Sequence, residues 1–136
     1  MIEALRAVTP PWAVSLLAQV AAVAALQDPG YYAARYAETH RLREQLRNEL
    51  SEFDGWEIIP GVANFLLCHL PDEGLDAAAF VKQCRERGLF LRDAGAMGRA
   101  LGNRALRLAV KDSHTNWQML RIMAEVAECV SSNVVA

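Results

Sequence analysis

The sequence predicts an α+β domain, with a small antiparallel-type sheet covered by helices on one face. Two observations favour this fold class. Apolar segments with helical spacing and short apolar runs follow one another in the order helix, helix, strand, strand, helix, strand, strand, helix. Pro and Gly residues separate many of these segments, and short strands with helices between them favour one sheet with one helical layer.

The composition indicates a folded chain and argues against two classes of partner. Hydrophobic residues make up 53% and charged residues 22% of the 136 residues, which is typical of a folded soluble domain. A net charge of −2 gives no reason to expect nucleic acid or an anionic membrane as a partner. The apolar run over 13–26 is shorter than the ~20 residues that a membrane span needs. We therefore expect a cytoplasmic protein.

The cysteines and histidines show no metal-ligand spacing. Cys68, Cys84 and Cys129 are far apart and odd in number, so we expect small buried hydrophobic residues in a reducing compartment. The three histidines are equally scattered, which argues against a zinc site.

Two helices are predicted near the start of the domain. The first covers 13–27 and is apolar nearly all round, as in a helix that is buried on most sides. Asp28 is expected to cap the second, with Pro29 at its first helical position, and this helix runs over 31–53. Its charged residues are expected to form a solvated face: Arg35, Glu38, Arg41, Arg43, Glu44 and Arg47.

Residues 1–9 are interpreted as the end of a helix and a linker, because the Thr-Pro-Pro sequence at 9–11 stops helical structure. Residues 10–136 then form one small domain, and the chain is expected to begin in the tail of a larger protein. A third helix is predicted over 76–87, and a last helix begins at Asp112 or Ser113 and runs to about Val130.

Strands are predicted over 56–59, 64–70, 89–92 and 104–111. Because strand side chains alternate between faces, Leu106 and Leu108 share one face of the fourth strand and Arg107 shares the other with Lys111. If the leucines face the helices, Arg92 and Arg107 both project from the uncovered side of the sheet. This pattern points to an anion site or a partner surface, or else to arginines that are solvated or paired with carboxylates.

No catalytic residue is assigned in this chain. The sequence has no G-x-S-x-G, Walker or G-x-G-x-x-G motif. Lys82 lies on the expected solvent side of a helix and Lys111 ends a strand. Neither lysine has the desolvated setting that a Schiff-base lysine requires.

Three segments, in order, resemble the fold-type I pyridoxal-phosphate enzymes of the histidinol-phosphate aminotransferase and threonine-phosphate decarboxylase group. They are PPWAVSLLAQVAAVAALQD (10–28), PGVANFLLCHLP (60–71) and RERGLFLRDAGAMGRALGNRALRLAVKDSHTN (85–116). The resemblance covers nearly the whole chain and implies the small C-terminal domain of a class I/II aminotransferase. Residues 1–9 would then be a remnant of the large-domain helix and the linker.

The resemblance also implies roles for four residues. Arg107 matches the arginine that binds the substrate α-carboxylate, and Arg92 matches the arginine at the substrate's phosphate end. Trp12 and Ser15 fall in the segment that borders the active site. The family usually has Val-Gly-Thr after the arginine strand, whereas this chain has Ala109-Val110-Lys111-Asp112, which is closer to the decarboxylase pattern.

The implied cofactor is pyridoxal 5'-phosphate, held mainly by the large domain, which is also the implied partner in a full-length homodimer. The substrate is expected to be a small phosphorylated amine, and the chain alone is expected to be inactive. The residues do not decide between transamination and decarboxylation. A free-standing α+β ligand-binding or interaction module is the alternative from another class, although the linker prolines argue against it.

Overall fold

The computed structural model describes residues 14–134, with side chains described up to Cys129. The chain divides into two compact units, Met1–Tyr36 and Ala37–Ala136. In chain order the elements are α1 (Leu16–Leu26), α2 (Pro29–Leu50), β1 (Glu57–Ile59), β2 (Phe65–His69), α3 (Ala77–Glu86), β3 (Arg92–Asp93), β4 (Ala105–Ala109) and α4 (Ser113–Val134). This order of helices and strands confirms the predicted α+β class.

Helix α1, in the first unit, is apolar but exposed. Ser15 begins it, since the Ser15 hydroxyl oxygen accepts a hydrogen bond from the Ala18 N–H at 3.2 Å. No residue of α1 is buried, and the exposed fractions of Leu17 and Leu26 are 84% and 83%. The prediction of a helix buried on most sides is wrong for this chain. Within residues 14–36, the described part of the first unit, there are α1 and the first turns of α2, which cannot surround a helix.

Helix α2 begins as predicted but differs from the prediction on one face. Pro29 is its first residue, and the Asp28 carboxylate accepts a hydrogen bond from the Tyr31 N–H at 3.1 Å. Arg43, predicted to be solvated, is only 7% exposed. It lies on the same face as the buried Leu46 and Leu50, so its stem packs on the core while its guanidinium pairs with Glu44 at 3.0 Å. Within residues 14–134, no helix has the length and apolarity needed to cross a membrane.

The four strands form one sheet in the order β1-β2-β4-β3, and every neighbouring pair is antiparallel. Leu67 of β2 lies directly opposite Arg107 of β4, and Arg92 of β3 lies opposite Arg107 on the other side. Arg107 is therefore flanked on both sides in the middle of the sheet. The register confirms the predicted antiparallel sheet.

One face of the sheet carries the core of the second unit. Leu66, Leu106 and Leu108 are at most 1% exposed and pack against helices on that face. The helical side of the core consists of Leu46, Leu50, Ala77, Phe80, Val81, Cys84, Met119, Met123 and Val126. Because strand residues alternate, Arg107 lies on the opposite face, together with Leu67 and Arg92, its partners on the adjacent strands.

Strand β3 is shorter and later than predicted. The expected strand covered 89–92, but the observed strand is Arg92–Asp93. The reason lies in the end of α3: Gly88 has φ +83, and the Leu89 N–H donates to the Cys84 carbonyl at 2.9 Å. This helix-ending motif places a residue at positive φ, where a Cβ atom would cause steric strain, so glycine is favoured there. It takes the backbone donor of Leu89 away from the sheet.

Helix α4 begins at a carboxylate cap, and the structure selects Asp112 from the two predicted residues. Its side chain accepts hydrogen bonds from the Thr115 N–H at 2.9 Å and from the Thr115 hydroxyl at 2.7 Å. These bonds lower the pKa of Asp112 below its ordinary value, because they favour the charged carboxylate.

The cysteines are buried at two positions out of three. Cys68 and Cys84 belong to the core, and burial raises the pKa of Cys68 to about 12 and that of Cys84 to about 11. Both thiols therefore stay protonated near neutral pH and act as small hydrophobic groups. The expectation is wrong for Cys129, which is exposed.

Candidate anion-binding site

The structure brings Arg92 and Arg107 together on the open face of the sheet. They form a cross-strand pair between β3 and β4, and the neighbours of Arg107 in sequence, Leu106 and Leu108, are fully buried on the other face. Side chains that lie directly opposite in antiparallel strands have Cβ atoms about 4.5–5.5 Å apart. The two guanidinium groups can therefore converge on one ligand.

Neither arginine has a counter-ion within residues 14–134. No carboxylate of the described residues forms an ion pair with Arg92 or Arg107, and Nε of Arg107 is buried without a hydrogen-bond partner. Like charges directly opposite each other in a sheet destabilise it, and an unsatisfied buried donor costs about 1–3 kcal/mol. A bound anion would relieve the repulsion between the two like charges.

Arg104 shows what a structural arginine looks like in the same strand region. One of its terminal nitrogens donates to the carbonyls of Pro71, at 2.6 Å, and Leu75, at 3.0 Å. These bonds tie the loop before α3 to the start of β4. Arg104 thus has a role in folding that needs no ligand, in contrast to Arg107 three residues later.

A hollow of about 430 Å³ lies next to the arginine pair. It opens where β3 fails to continue alongside β4, because the end of α3 has diverted the chain at 88–91. Its lining residues are Gly88, Leu89, Phe90, Leu91, Arg92, Arg107, Ala109, Lys111, Thr115, Gln118, Met119 and Ile122. Three of these are cations, none is an acid, and the rest form a largely apolar wall.

Lys111, at the rim of this hollow, is held by a buried amide. Asn116 is 4% exposed; its side-chain oxygen accepts from the Lys111 N–H at 3.0 Å, and its side-chain nitrogen donates to the Lys111 carbonyl at 3.0 Å. The backbone between β4 and α4 is therefore fixed while the Lys111 side chain stays exposed. The sequence did not reveal this pair of hydrogen bonds, because nothing in the hydrophobic pattern of α4 distinguishes Asn116 from a surface residue.

Phe65 is the second residue that the sequence did not reveal as part of the site. Its ring centroid lies 4.1 Å from Cζ of Arg107. The alternation of β2 holds a partial signal, since Phe65 and Leu67 lie on the face opposite the buried Leu66. That alternation gives the face but not the register with β4.

Of the other predicted site residues, Ser15 caps α1 and Trp12 lies outside the described residues. Ser15 thus has a structural reason to be present. The active-site border role of both residues stays a prediction.

The profile of the family described as aminotransferase class I and II matches residues 1–126. The chain belongs to the class I and II aminotransferases. Among curated aminotransferases, it is 34% identical over 120 residues to the histidinol-phosphate aminotransferase of Rhodopseudomonas palustris (strain BisB5), covering 85% of this chain and 31% of the relative. It is 32% identical over 124 residues to histidinol-phosphate aminotransferase 2 of Archaeoglobus fulgidus, covering 91% of this chain and 34% of the relative.

Solved structures show the same aminotransferase fold. The histidinol-phosphate aminotransferase of Clostridium acetobutylicum superposes with a TM-score of 0.76 at 22% identity, over 92% of this chain and 37% of that one. The L-threonine-O-3-phosphate decarboxylase of Porphyromonas gingivalis gives 0.71 at 26% identity, over 90% and 37%. This chain spans about a third of the length of the curated aminotransferases it matches.

Enzymes of this aminotransferase family depend on pyridoxal phosphate. The two lysines of the chain do not fit the task of holding it. The Lys82 side chain is 79% exposed and lies 4.0 Å from Glu86, and Lys111 is exposed. A Schiff-base lysine is desolvated and held beside its cofactor. The guanidinium groups of Arg92 and Arg107, which have no carboxylate partner in residues 14–134, are suited to an anionic ligand instead.

Proposed function

We propose that this chain is the substrate-binding small domain of a pyridoxal-phosphate-dependent enzyme of the histidinol-phosphate aminotransferase type. Arg107 binds the α-carboxylate and Arg92 the phosphate of a phosphorylated amino substrate. The observation that supports this proposal is the cross-strand arginine pair, which has no counter-ion in residues 14–134 and lines a hollow without acids.

Arg107 suits a carboxylate because it is rigidly placed. It sits in the middle of the sheet between two antiparallel neighbours, and fully buried leucines on either side of it in sequence anchor the strand. A guanidinium can bind a carboxylate through two parallel N–H···O bonds, which fixes the orientation of the bound molecule as well as its position.

Arg92 suits a more distant, more mobile group. It lies on the edge strand and is exposed, so its side chain can follow a phosphate over a range of positions. Leu89, Leu91 and Met119 form an apolar wall of the hollow beside both arginines. A volume of about 430 Å³ is in the range of small-molecule sites.

The cofactor, held mainly by the large domain, supplies an electron sink for breaking a bond at the substrate Cα. The contribution of this chain is orientation: by fixing the carboxylate, Arg107 helps to decide which bond at Cα lies in the reactive position. Proton loss leads to transamination and carboxylate loss to decarboxylation.

Decarboxylation of a phosphorylated amino acid is the second candidate. The fold similarity to the P. gingivalis decarboxylase, at 26% identity and a TM-score of 0.71, favours it, since the substrate named for that enzyme carries both a carboxylate and a phosphate. A third cation in the hollow, Lys111, is compatible with such a highly charged ligand.

The large domain of the same polypeptide is the proposed partner, in an enzyme that forms a homodimer. The apolar helix α1, which has no buried residue, supports this, because contiguous apolar surface is rarely left bare in a soluble protein. In this proposal residues 1–9 belong to the linking segment, and closure of the small domain on the large one excludes water from the site.

Replacing Arg92 by Lys in the full-length enzyme tests the phosphate assignment. We expect kcat/KM to fall roughly tenfold or more for a phosphorylated amino substrate and to change little for its unphosphorylated analogue, since only the planar two-pronged contact to phosphate is lost. Steady-state kinetics with both substrates measure this difference. The control is Arg99→Lys, an exposed arginine outside the hollow. Equal losses of kcat/KM on both substrates would show that Arg92 does not bind the phosphate.

A further inference from the structure

We infer that Phe65 is a positioning residue for the substrate-binding arginine: its ring supports one face of the Arg107 guanidinium and directs the two Nη groups toward the ligand. This inference rests on the proposed function of Arg107. It adds a specific geometry, end-on binding through Nη1 and Nη2.

The contact between Phe65 and Arg107 is unusually close for this molecule. The ring centroid lies 4.1 Å from Cζ of Arg107, whereas the other arginine–aromatic contacts found in the described residues have distances of 5.8 or 5.9 Å. A cation over the face of an aromatic ring is attracted within about 6 Å of its centroid. A separation near 4 Å places the planar guanidinium against the ring.

The strand register creates this contact. Phe65 of β2 pairs with Ala109, and Arg107 pairs with Leu67, so Phe65 is the diagonal neighbour of Arg107 on the open face. Diagonal neighbours are within reach of aromatic and long side chains. Ala109 is small and leaves room above β4 into which the ring and the guanidinium can extend.

The burial of the guanidinium is uneven, and this sets the direction of binding. Nε of Arg107 is buried and has no hydrogen-bond partner, whereas Nη1 and Nη2 are not among the buried, unpartnered atoms of the described residues. An anion therefore reaches Arg107 through Nη1 and Nη2. With the ring against one face, these two groups are held in one orientation; without it, the side chain can rotate between several rotamers.

Two measurements on the 136-residue chain test this inference. In the wild type, the Arg107 Nε–H proton should show an upfield ring-current shift by NMR; Phe65→Tyr should retain the shift and Phe65→Leu should lose it. Titration with acetate, a simple carboxylate, at constant ionic strength should show that Phe65→Leu weakens binding about three- to tenfold, the effect of losing one cation–π contact, and that Phe65→Tyr restores it.

Trp117→Leu is the matched control, because it removes an exposed ring that does not line the hollow and that contacts a different arginine, Arg121, at 5.9 Å. It should leave both the Arg107 signal and the acetate affinity unchanged. Arg107→Gln separates the two claims. If Arg107→Gln weakens acetate binding and Phe65→Leu does not, the role of Phe65 is wrong and the anion site stands. If Arg107→Gln has no effect, the proposed function itself fails.

The wild-type NMR signal keeps the inference testable even if one of the variants does not fold. If Phe65→Leu lowers the melting temperature so far that binding cannot be measured, the wild type and Phe65→Tyr still report the contact. An unshifted Arg107 Nε–H in the folded wild type would overturn the inference without any variant.

Discussion

Arg107→Lys in the full-length enzyme is expected to lower kcat/KM roughly ten- to hundredfold while the melting temperature changes little. Lys keeps the positive charge but loses the planar fork that binds a carboxylate through two hydrogen bonds. Stability should hold because the core contacts of β4 come from Leu106 and Leu108, both 0% exposed on the opposite face. Steady-state kinetics and thermal unfolding on the same preparation give the comparison.

Arg104→Lys is the matched contrast for this experiment. Arg104 donates to two backbone carbonyls and does not line the hollow, so its replacement should lower the melting temperature and affect turnover only through stability. A kinetically silent Arg107→Lys, or one that loses as much stability as Arg104→Lys, would show that Arg107 is a structural arginine.

Leu106→Ala is expected to destabilise the second unit by about 2–5 kcal/mol, the range measured for buried leucines. Leu106 is fully buried, pairs in the ladder with Cys68 and Asp93, and adjoins Arg107. Removing its side chain leaves a cavity between the sheet and the helices that cover it. Urea unfolding followed by circular dichroism measures the loss.

The control is the same chemical change at an exposed site, Leu17→Ala in α1, where the leucine is 84% exposed. Surface substitutions of this kind usually change stability by at most about 0.5 kcal/mol. Equal effects at the two positions would contradict the assignment of the core to the helix-covered face of the sheet.

Local patterns in the sequence were enough to predict the placement of the two arginines. Alternation in β4 assigns Leu106 and Leu108 to the core and Arg107 to the open face, and this is what the structure shows. The capping residues could be predicted in the same way. Asp28 and Asp112 cap α2 and α4 through hydrogen bonds to a backbone N–H only three residues away. Such features depend on neighbours in the chain, so a single sequence contains them.

Two of the missed features depend on contacts between segments that are separated in the chain. Phe65 and Arg107 meet because β2 and β4 pair in one particular register, and alternation alone does not specify register. The late start of β3 follows from competition between a helix end and a sheet edge for the Leu89 N–H. Arg43 was assigned to solvent by residue type, although its helical spacing with Leu46 and Leu50 places it against the core.

The most direct test of the proposed anion site is a crystal structure of the full-length enzyme with a bound phosphorylated substrate analogue. We expect two oxygens of one anionic group to lie about 2.7–3.2 Å from Nη1 and Nη2 of Arg107, with the ring of Phe65 against the guanidinium and Arg92 at the phosphate. A structure in which Arg107 pairs with a carboxylate of the protein, and the ligand's anionic groups bind elsewhere, would contradict the proposal.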